Sequence, residues 1–325
     1  MARFCVTGGA GFIGSNLADA LAARGHEVVV LDDFRTGRHE FIEELLGKPG
    51  TELIEGDLLD TDAVRRAVDG ADMVFHLQAN ADVRFGFDRP TVDIEQNVIA
   101  TSNVLEAMRA TGCRRIGFSS TGSVYGEPEI FPTPEHAPIP AQTSLYGTSK
   151  MAAEGIISSY VSGFDFVGIP FRFVSILGER YTHGHVFDFY RALKKDPTQL
   201  TVLGDGKQNK SYLYVGDCVA GILAATDHHW DDAGSFNVYN LGHDETLVVD
   251  DSVATITAKL GLTPEIHHTG GSRGWKGDSP LIHLDTTKIK SLGWAPSLTI
   301  QQALHKTLEW FDANPEIVLP QELRA

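Results

Sequence analysis

Residues 1–14 read Met-Ala-Arg-Phe-Cys-Val-Thr-Gly-Gly-Ala-Gly-Phe-Ile-Gly. An apolar run leads directly into a turn that carries Gly8, Gly11 and Gly14. An amphipathic stretch follows the turn, and the next apolar run ends on Asp32. This order predicts a β-strand, a glycine-rich turn, an α-helix and a second strand with an acidic residue at its end.

The predicted turn has the chemistry of a dinucleotide phosphate site. Its glycines allow a tight turn at Gly8, close approach of the backbone to a pyrophosphate at Gly11, and close helix–strand packing at Gly14. The helix N-terminus adds free N–H groups and a positive dipole end. Asp32 can accept hydrogen bonds from the adenosine ribose and repel a 2′-phosphate, which favours NAD over NADP, although two arginines follow closely. A glycine-rich turn without a ligand is the open alternative.

The composition describes a large, acidic protein. The chain has 325 residues, 42% of them hydrophobic, which suits one large domain or two modest ones. Its formal net charge of −16 argues against nonspecific nucleic-acid binding. An anionic ligand therefore needs a local cationic site. Cys5, Cys113 and Cys218 stand far apart, so neither a metal site nor a disulfide framework is expected.

The sequence shows neither a membrane pattern nor a leader pattern. No apolar run approaches the ~18 residues that a membrane helix needs. Because the first residues enter the predicted strand at once, a signal peptide is not expected. We therefore expect a soluble cytoplasmic protein with reduced thiols.

Apolar runs alternate with helical stretches through the first half of the chain. Strands are predicted over 3–6, 27–31, 52–55, 72–76, 114–118 and 165–171, and helices over 12–24, 60–69, 92–111 and 145–163. This alternation predicts an α/β fold of the Rossmann type, a doubly wound parallel sheet with helices on both faces.

The second half departs from this alternation. Residues 212–215 are predicted to form a strand that returns to the main sheet. We expect a Rossmann domain over 1–171 with a return segment at about 212–238. The remaining parts, 172–211 and 239–325, are expected to form a smaller interleaved α/β lid domain that binds the substrate.

The segment Ser-Leu-Tyr-Gly-Thr-Ser-Lys places Tyr146 and Lys150 one turn apart on a predicted helix. A phenol is a poor base because its pKa is about 10 in water. A nearby ammonium stabilises the phenolate, so Tyr146 can take a proton near neutral pH. Lys150 can also bind the ribose beside the nicotinamide. On its own this spacing fits an ordinary amphipathic helix, and the nucleotide-binding turn is what favours catalysis.

The segment Phe-Ser-Ser-Thr-Gly-Ser at 118–123 follows the fifth predicted strand. Hydroxyl groups at the carboxyl end of a parallel strand lie where an open sheet binds its ligand. Thr121 can therefore hydrogen-bond a substrate hydroxyl beside the Tyr146 oxygen. For Ser119 and Ser123 the alternative is that they cap the following turn.

With these segments identified, the chain resembles the extended short-chain dehydrogenase/reductases. More narrowly, it is similar to NAD-dependent sugar-nucleotide epimerases of the UDP-glucose 4-epimerase type. The resemblance covers nearly the whole chain and rests on an ordered set of motifs, namely Thr7–Gly14, Asp32, Gly56-Asp57-Leu58, Val74-Phe75-His76, Asn97, Ser119–Gly126, Tyr146 with Lys150, Arg172, Gly204-Asp205-Gly206, Tyr212–Asp217, Asn237–Gly242 and Gly277-Asp278.

The resemblance implies one site for NAD and another for a nucleotide sugar. The implied catalytic residues are Tyr146, Lys150 and Thr121. The implied NAD contacts are Gly8, Gly11, Phe12, Ile13, Gly14, Asp32, Asp33, Arg35, Thr36, Gly37, Asp57, Leu58, Leu77, Gln78, Ala79, Asn97, Ser119, Tyr146 and Lys150. The implied substrate contacts are Val83, Arg84, Thr121, Gly122, Ser123, Tyr146, Ser175, Lys210 and Arg273.

Several positions depart from the family pattern. Leu77-Gln78 stands where small residues are usual, and Ser175 stands where Asn is frequent. Lys210 replaces a phosphate-binding Arg, and Trp275 replaces another, for which Arg273 is close enough to compensate. A lysine supplies charge without the bidentate fork of arginine, so the grip on phosphate is expected to be altered.

Such enzymes begin by oxidising C4 of the sugar, Tyr146 taking the hydroxyl proton while hydride passes to NAD. Dehydratase relatives carry Asp-Glu directly after the Thr, and decarboxylase relatives carry Glu at the second of these positions. Here the two positions are Gly122 and Ser123. The reaction that remains is rotation of the 4-keto sugar followed by return of the hydride to its opposite face. This reaction is a 4-epimerisation, and a UDP-hexose is the expected substrate. A dehydratase, decarboxylase or reductase using acids from the lid stays open, as does a non-catalytic NAD-binding sensor.

The resemblance also implies a homodimer. The predicted helices 92–111 and 145–163 carry apolar residues on more than one face, namely Val98, Ile99, Val104, Leu105, Ile156, Ile157 and Val161. These helices would pair across a twofold axis as a four-helix bundle. The alternative is that both faces are buried within one chain.

Overall fold

A computed structural model of the chain describes residues 1–80, 89–275 and 277–324. Its strands are β1 (Arg3–Thr7), β2 (Glu27–Asp32), β3 (Thr51–Glu55), β4 (Met73–His76), β5 (Arg115–Thr121), β6 (Val167–Phe173), β7 (Ser175–Leu177), β8 (Gln199–Val202), β9 (Asn209–Lys210), β10 (Tyr212–Tyr214), β11 (Tyr239–Leu241), β12 (Leu247–Val248), β13 (Glu265–His268) and β14 (Leu281–Ile282).

Helices connect these strands. They are α1 (Phe12–Ala23), α2 (Glu43–Leu46), α3 (Thr61–Val68), α4 (Thr91–Asp93), α5 (Ala100–Thr111), α6 (Leu145–Phe164), α7 (His185–Lys195), α8 (Val215–His228), α9 (Val249–Leu260), α10 (Thr287–Lys290), α11 (Ile300–Ala313) and α12 (Pro315–Val318). A π-helical segment, Ile94–Ile99, joins α4 to α5, and 3₁₀ segments cover His39–Phe41, Gly122–Tyr125 and Gln321–Leu323. Within the described ranges, no helix combines the length and apolar character needed to cross a membrane.

Seven parallel strands form the main sheet, in the order β11-β6-β5-β4-β1-β2-β3. The side chains of β1 alternate between two hydrophobic clusters, because Phe4 and Val6 pack on one face and Cys5 on the other. Residues of α1 and α8 belong to the first cluster, and residues of α3, α5 and α6 to the second. The predicted doubly wound fold of the Rossmann type is thereby confirmed.

The six predicted strands and four predicted helices of the first half are all present. The strands are apolar runs because helices cover both faces of the sheet, as Val28–Leu31 of β2 show by being fully buried. Polar side chains begin the helices. Asp60 accepts the N–H groups of Asp62 and Ala63 at the start of α3, and Ser144 accepts that of Gly147 at the start of α6.

The strand order reverses at β1. The chain runs outward from β1 through β2 and β3, and then returns to β4 on the other side of β1. The ends of the two neighbours are joined, since Leu77 N donates to Thr7 O at 3.1 Å. In an open parallel sheet the crevice at this reversal binds the ligand, and the glycine-rich turn after β1 and the segment after β4 lie beside it.

The prediction that residues 212–215 return to the main sheet is wrong. Strand β10 pairs with β7 in a separate two-stranded sheet, and β11 takes the seventh place beside β6. Helix α8 leads from β10 back across the main sheet, where it packs against α1. β11 gives a weak sequence signal because it has only three residues, with the polar Asn240 in the middle.

The other short strands form two further small sheets, β12-β9-β14 and β13-β8. All of the strands outside the main sheet belong to the segments that were expected to form the lid or to return from it. The domain boundaries stay a prediction.

Candidate active site

Two glycines of the turn after β1 tolerate no side chain. Gly8 has a φ of +69°, and a Cβ added there would lie 2.7 Å from the backbone N of Gln78. A Cβ on Gly14 would lie 2.0 Å from Gly8 O. Gly11 is the residue before α1 and has no side chain that could cap the helix. Among the described residues, none caps this helix end with a side chain, and the first turn of α1 carries no acidic residue. The first N–H groups of α1 are therefore available to an anionic ligand.

Asp32 lies beside this turn, at the end of β2. Its Oδ2 accepts a hydrogen bond from Ala10 N at 2.9 Å, and its Oδ1 accepts one from Phe34 N at 2.9 Å. Burial raises the pKa of Asp32, and these backbone hydrogen bonds oppose the rise. A Cβ on Gly37 would lie 2.6 Å from Oδ1, so the loop packs directly against the carboxylate. The carboxylate keeps acceptor capacity for ribose hydroxyls, because each oxygen has two lone pairs.

Arg35 is engaged by two carboxylates. Its Nε lies 3.2 Å from Asp33 Oδ2, and its Nη2 donates to Asp57 Oδ2. The other oxygen of Asp57 accepts Leu59 N at 2.9 Å, which fixes this side chain. Because Arg35 is already paired with two carboxylates, it gives a 2′-phosphate little support. The preference for NAD over NADP stays a prediction.

Asn97 ties the loop after β4 to helix α6. This residue of the π-helical segment is buried, and its Oδ1 accepts Asn80 N at 2.9 Å. Its Nδ2 donates to Ser149 Oγ at 2.8 Å. Since Ser149 precedes Lys150 and donates to Tyr146 O at 2.8 Å, Asn97 helps to fix the helix turn that carries both.

The structure brings the side chains of Tyr146 and Thr121 close to one another at the end of β5. Burial raises the pKa of Tyr146 to about 12, and the neighbouring Thr121 side chain opposes that rise. Thr121 Oγ1 also accepts Ser123 N at 3.1 Å, which caps the 3₁₀ segment after β5. Thr121 thus meets both interpretations of this segment, since it caps the turn and faces the Tyr146 hydroxyl.

Lys150 contacts the end of β5. Its side chain is buried, and Nζ donates to Ser119 O at 2.7 Å and to Ser119 Oγ at 3.3 Å. Burial lowers the pKa of Lys150 to about 7, and the charges of Glu154 and Asp93 oppose the decrease. Ser119 Oγ itself donates to His76 O at 3.3 Å. The Ser119 hydroxyl therefore links Lys150 to the end of β4 rather than capping the turn that follows.

A buried ion pair lies one helix turn beyond Lys150. Glu154 accepts hydrogen bonds from Arg172 at 3.0 and 2.7 Å, and another from Ser120. Arg172 also donates to Tyr125 OH at 2.9 Å. These contacts fasten α6 to β5 and β6 and so hold the catalytic candidates in register. Sequence reasoning missed Glu154, although its four-residue spacing from Lys150 placed it on the same helix face.

Lys210 and Arg273 meet at one aspartate. Lys210 Nζ lies 2.6 Å from Asp278 Oδ1, and Arg273 Nη1 donates to Asp278 O at 2.6 Å. Arg273 also pairs with Glu127, and Lys210 Nζ lies 4.9 Å from the centre of the Trp275 ring. Both cations are therefore paired with carboxylates, and a diphosphate has to compete for them.

The other predicted contacts are distributed along the same crevice and around it. Near the phosphate turn, the structure places Phe12 and Ile13 in the first turn of α1, and Thr36, Leu58, Leu77 and Ala79 in the loops after β2, β3 and β4. Gly122 and Ser123 lie in the 3₁₀ segment, and Ser175 begins β7 opposite Tyr212. The predicted contacts Val83 and Arg84 lie outside the described residues.

Known proteins share this arrangement of sequence and fold. The sequence model of the NAD dependent epimerase/dehydratase family matches residues 4–242. A UDP-glucose 4-epimerase of Mycolicibacterium smegmatis is 32% identical over 95% of this chain and 98% of its own. UDP-glucuronic acid decarboxylase 1 of Arabidopsis thaliana is 33% identical over 95% of this chain and 69% of its own. A crystal structure of a UDP-galactose 4-epimerase, 38% identical, superposes with a TM-score of 0.86 over 96% of this chain and 99% of that one.

Proposed function

We propose that this chain, which belongs to the NAD dependent epimerase/dehydratase family, is a 4-epimerase that acts on a UDP-hexose. The observation that carries the proposal is the convergence of two contacts at the end of β5. Tyr146 meets the Thr121 hydroxyl there, and Lys150 meets Ser119. A proton acceptor, its hydrogen-bond partner and a cation therefore share one edge of the crevice.

NAD is the cofactor of the family, and the phosphate turn of this chain fits it. The open N-terminus of α1 suits the pyrophosphate, and Gly8 and Gly14 leave no room for side chains in its path. Asp32 is fixed at the end of β2, where it suits the adenosine ribose. When bound, NAD supplies a reversible acceptor for the hydride of C4.

In the proposed reaction, Tyr146 would take the proton of the C4 hydroxyl and later return it to the C4 oxygen, after the 4-keto sugar has rotated to present its opposite face. Thr121 lies beside the Tyr146 hydroxyl and would stabilise the phenolate, because its side chain opposes the rise in the pKa of Tyr146 that burial causes. Lys150 supports the same charge when protonated and is positioned by Ser119 to bind a ribose hydroxyl. The ion pair of Glu154 and Arg172 holds the helix that carries Tyr146 and Lys150.

The two residues after Thr121 support epimerisation over elimination. Gly122 has no side chain, and the Ser123 hydroxyl is a weak acid and base, so neither removes water from C5 and C6 or assists loss of carbon dioxide. A decarboxylase is the second candidate, because the Arabidopsis decarboxylase resembles this chain as much as the mycobacterial epimerase does.

We propose that the substrate is held on the side of the crevice formed by β7, β9 and the segment around Asp278. Lys210 and Arg273 are the cations assigned to its diphosphate. The remaining proposed contacts follow from the family resemblance and are Val83, Arg84, Gly122, Ser123 and Ser175.

The proposal includes a cytoplasmic homodimer without a nucleic-acid partner. The net charge of −16 supports the last point, since a phosphate backbone would be repelled. The dimer is supported by apolar side chains left exposed near α5 and α6, among them Ile99 and Phe164.

The test is a panel of UDP-glucose, UDP-galactose, UDP-N-acetylglucosamine and UDP-glucuronate, incubated with the NAD-loaded protein and analysed by proton NMR. We expect inversion at C4 of at least one hexose without release of carbon dioxide or loss of water. Tyr146→Phe should reduce turnover by about 10²–10⁴-fold, because it removes the general acid/base. Tyr160→Phe, on the same helix, is the matched control and should retain activity.

Two outcomes contradict the proposal. Release of carbon dioxide from UDP-glucuronate without epimerisation of any hexose would identify a decarboxylase instead. Turnover near the wild-type level in a folded Tyr146→Phe variant would exclude this residue as the base.

A further inference from the structure

The side chain of Gln78 is buried without a hydrogen-bond partner. Gln78 is the second residue after β4 and is only 9% exposed. Among the residues that the structure describes, neither its Oε1 nor its Nε2 has a partner. Two polar residues close by, Asn80 and Asn97, bond to each other. Each buried polar atom without a partner destabilises the empty fold, so a ligand that bonds both atoms is bound more tightly.

The position of Gln78 points to the cofactor crevice. Its backbone N donates to Thr7 Oγ1 at 3.3 Å, and it lies against Gly8 so closely that a Cβ on that glycine would be 2.7 Å away. On the other side, Ser119 Oγ contacts the carbonyl of Leu77 at 3.5 Å. Gln78 thus lies between the phosphate turn and the strand end that holds Lys150. The open N-terminus of α1 is a separate sign of a ligand in this crevice.

The chemistry of an amide restricts which part of the cofactor it can meet. Gln78 offers one carbonyl acceptor and two N–H donors. A pyrophosphate only accepts hydrogen bonds and would leave Oε1 unmet, whereas a ribose hydroxyl or a carboxamide both donates and accepts. Asp32 already provides acceptors for the adenosine ribose on the β2 side of the turn, while Gln78 lies on the β4 side, towards Lys150.

We infer that the Gln78 side chain hydrogen-bonds the nicotinamide riboside half of bound NAD and so contributes to retention of the cofactor. The inference rests on the NAD part of the proposed function and is independent of which sugar is epimerised. It also explains why the chain keeps an uncharged polar side chain at a buried position where an apolar one would stabilise the empty fold.

The experiment compares Gln78→Met with the wild type after removal of bound dinucleotide. Methionine matches the length of glutamine but makes no comparable hydrogen bond. Calorimetric titration should show NAD affinity reduced about 5- to 100-fold, the equivalent of two neutral hydrogen bonds. Affinity for ADP, which lacks the nicotinamide riboside, should stay within about twofold, and thermal unfolding of the empty protein should occur at the same or a higher temperature. Gln321→Met, at an exposed position, is the matched control and should change neither affinity.

A third probe, ADP-ribose, divides the supporting outcomes. An equal loss of affinity for ADP-ribose assigns the contact to the ribose, and a loss of affinity confined to NAD assigns it to the carboxamide.

Unchanged NAD affinity would overturn the inference and leave ordered water as the partner of Gln78. An ADP affinity that decreases as much as that of NAD would overturn it too. If Gln78→Met does not fold, Gln78→Ala serves in the same titrations. Since no sugar is used, failure here is distinct from failure of the 4-epimerase proposal.

Discussion

At the residue scale, Lys150 combines two opposed requirements. The proposed mechanism places its ammonium beside Tyr146, yet burial lowers the pKa of Lys150 to about 7 from an ordinary value near 10.5. The negative charges of Glu154 and Asp93 offset part of the burial cost. The protein therefore carries a lysine whose charge is expensive to keep, as is frequent where a cation serves chemistry rather than stability.

This cost predicts a pH-dependent difference in stability between the wild type and Lys150→Met. Below pH 7 the lysine is protonated in both folded and unfolded chains, so the wild type bears the full cost of burying the charge. Between pH 7 and 10.5 the unfolded chain binds the proton and the folded chain does not, so wild-type stability rises with pH. The free energy of unfolding of Lys150→Met should thus exceed that of the wild type most at pH 6, and this difference should shrink by about 3 kcal/mol by pH 9.

Urea unfolding of the cofactor-free proteins at pH 6, 7.5 and 9 measures the difference in free energy of unfolding between each variant and the wild type. Lys195→Met is the matched control, because it removes the same charge from an exposed position, and its difference from the wild type should not change with pH. A difference that is also constant for Lys150→Met would mean that the pKa of Lys150 is not lowered.

At the element scale, the main sheet could be predicted from sequence where its signals are local. The first six strands are short runs centred on apolar residues and bounded by turns, and the first βα turn is specified by its glycines. β11 could not be found in this way, because its central Asn240 is polar. The structure explains that residue through a long-range contact, in which Asn240 Oδ1 accepts the Tyr125 hydroxyl at 2.8 Å.

The candidate site likewise has features that follow from local sequence and features that depend on the tertiary fold. Tyr146 and Lys150 share a helix turn, so their proximity follows from spacing alone. The pairing of Glu154 with Arg172 and the unmet amide of Gln78 depend on which elements become neighbours in the fold. The spacing places Glu154 on the same helix face as Lys150, but one sequence without its structure does not show that it pairs with Arg172 or that the Gln78 amide has no partner.

Strand β9 and the segment before β14 lead to a prediction about substrate affinity. A charge-assisted contact from Lys210 to a phosphate is worth about 1.5–3 kcal/mol, so Lys210→Ala should weaken binding of UDP-sugar about 10- to 150-fold. NAD affinity should stay the same, because its pyrophosphate binds at the turn after β1. Lys210→Arg preserves the charge beside Asp278 and is the matched control.

Titration of each variant with UDP-glucose and with NAD provides the measurement. Arg273→Ala should show a smaller loss, because its guanidinium is more exposed and also bonded to Glu127. If UDP-sugar affinity is unaffected in both Lys210→Ala and Arg273→Ala, the diphosphate binds elsewhere and the assigned substrate side is wrong.

At the scale of the whole molecule, the two helices expected at a dimer interface divide their apolar residues between core and surface. Val104, Leu105, Ile157 and Val161 are buried within the chain, as the alternative interpretation required. Ile99, in contrast, is 46% exposed. The outward face of α6 carries the exposed Gly155. A Cβ added there would meet no atom within 4 Å, so this face is open within one chain. An exposed apolar side chain next to a small-residue face permits close helix packing.

We therefore predict a dimer that forms through α5 and α6. Light scattering at micromolar concentration should give twice the chain mass of 35.3 kDa. Gly155→Arg places a long charged side chain on the outward face of α6, where open space surrounds it within one chain but a partner helix would clash. It should yield a folded monomer. Leu46→Asp introduces a charge at an exposed leucine of α2 and should leave the dimer intact. A monomeric wild type, or a Gly155→Arg variant that remains dimeric, would place the exposed face of these helices outside any interface.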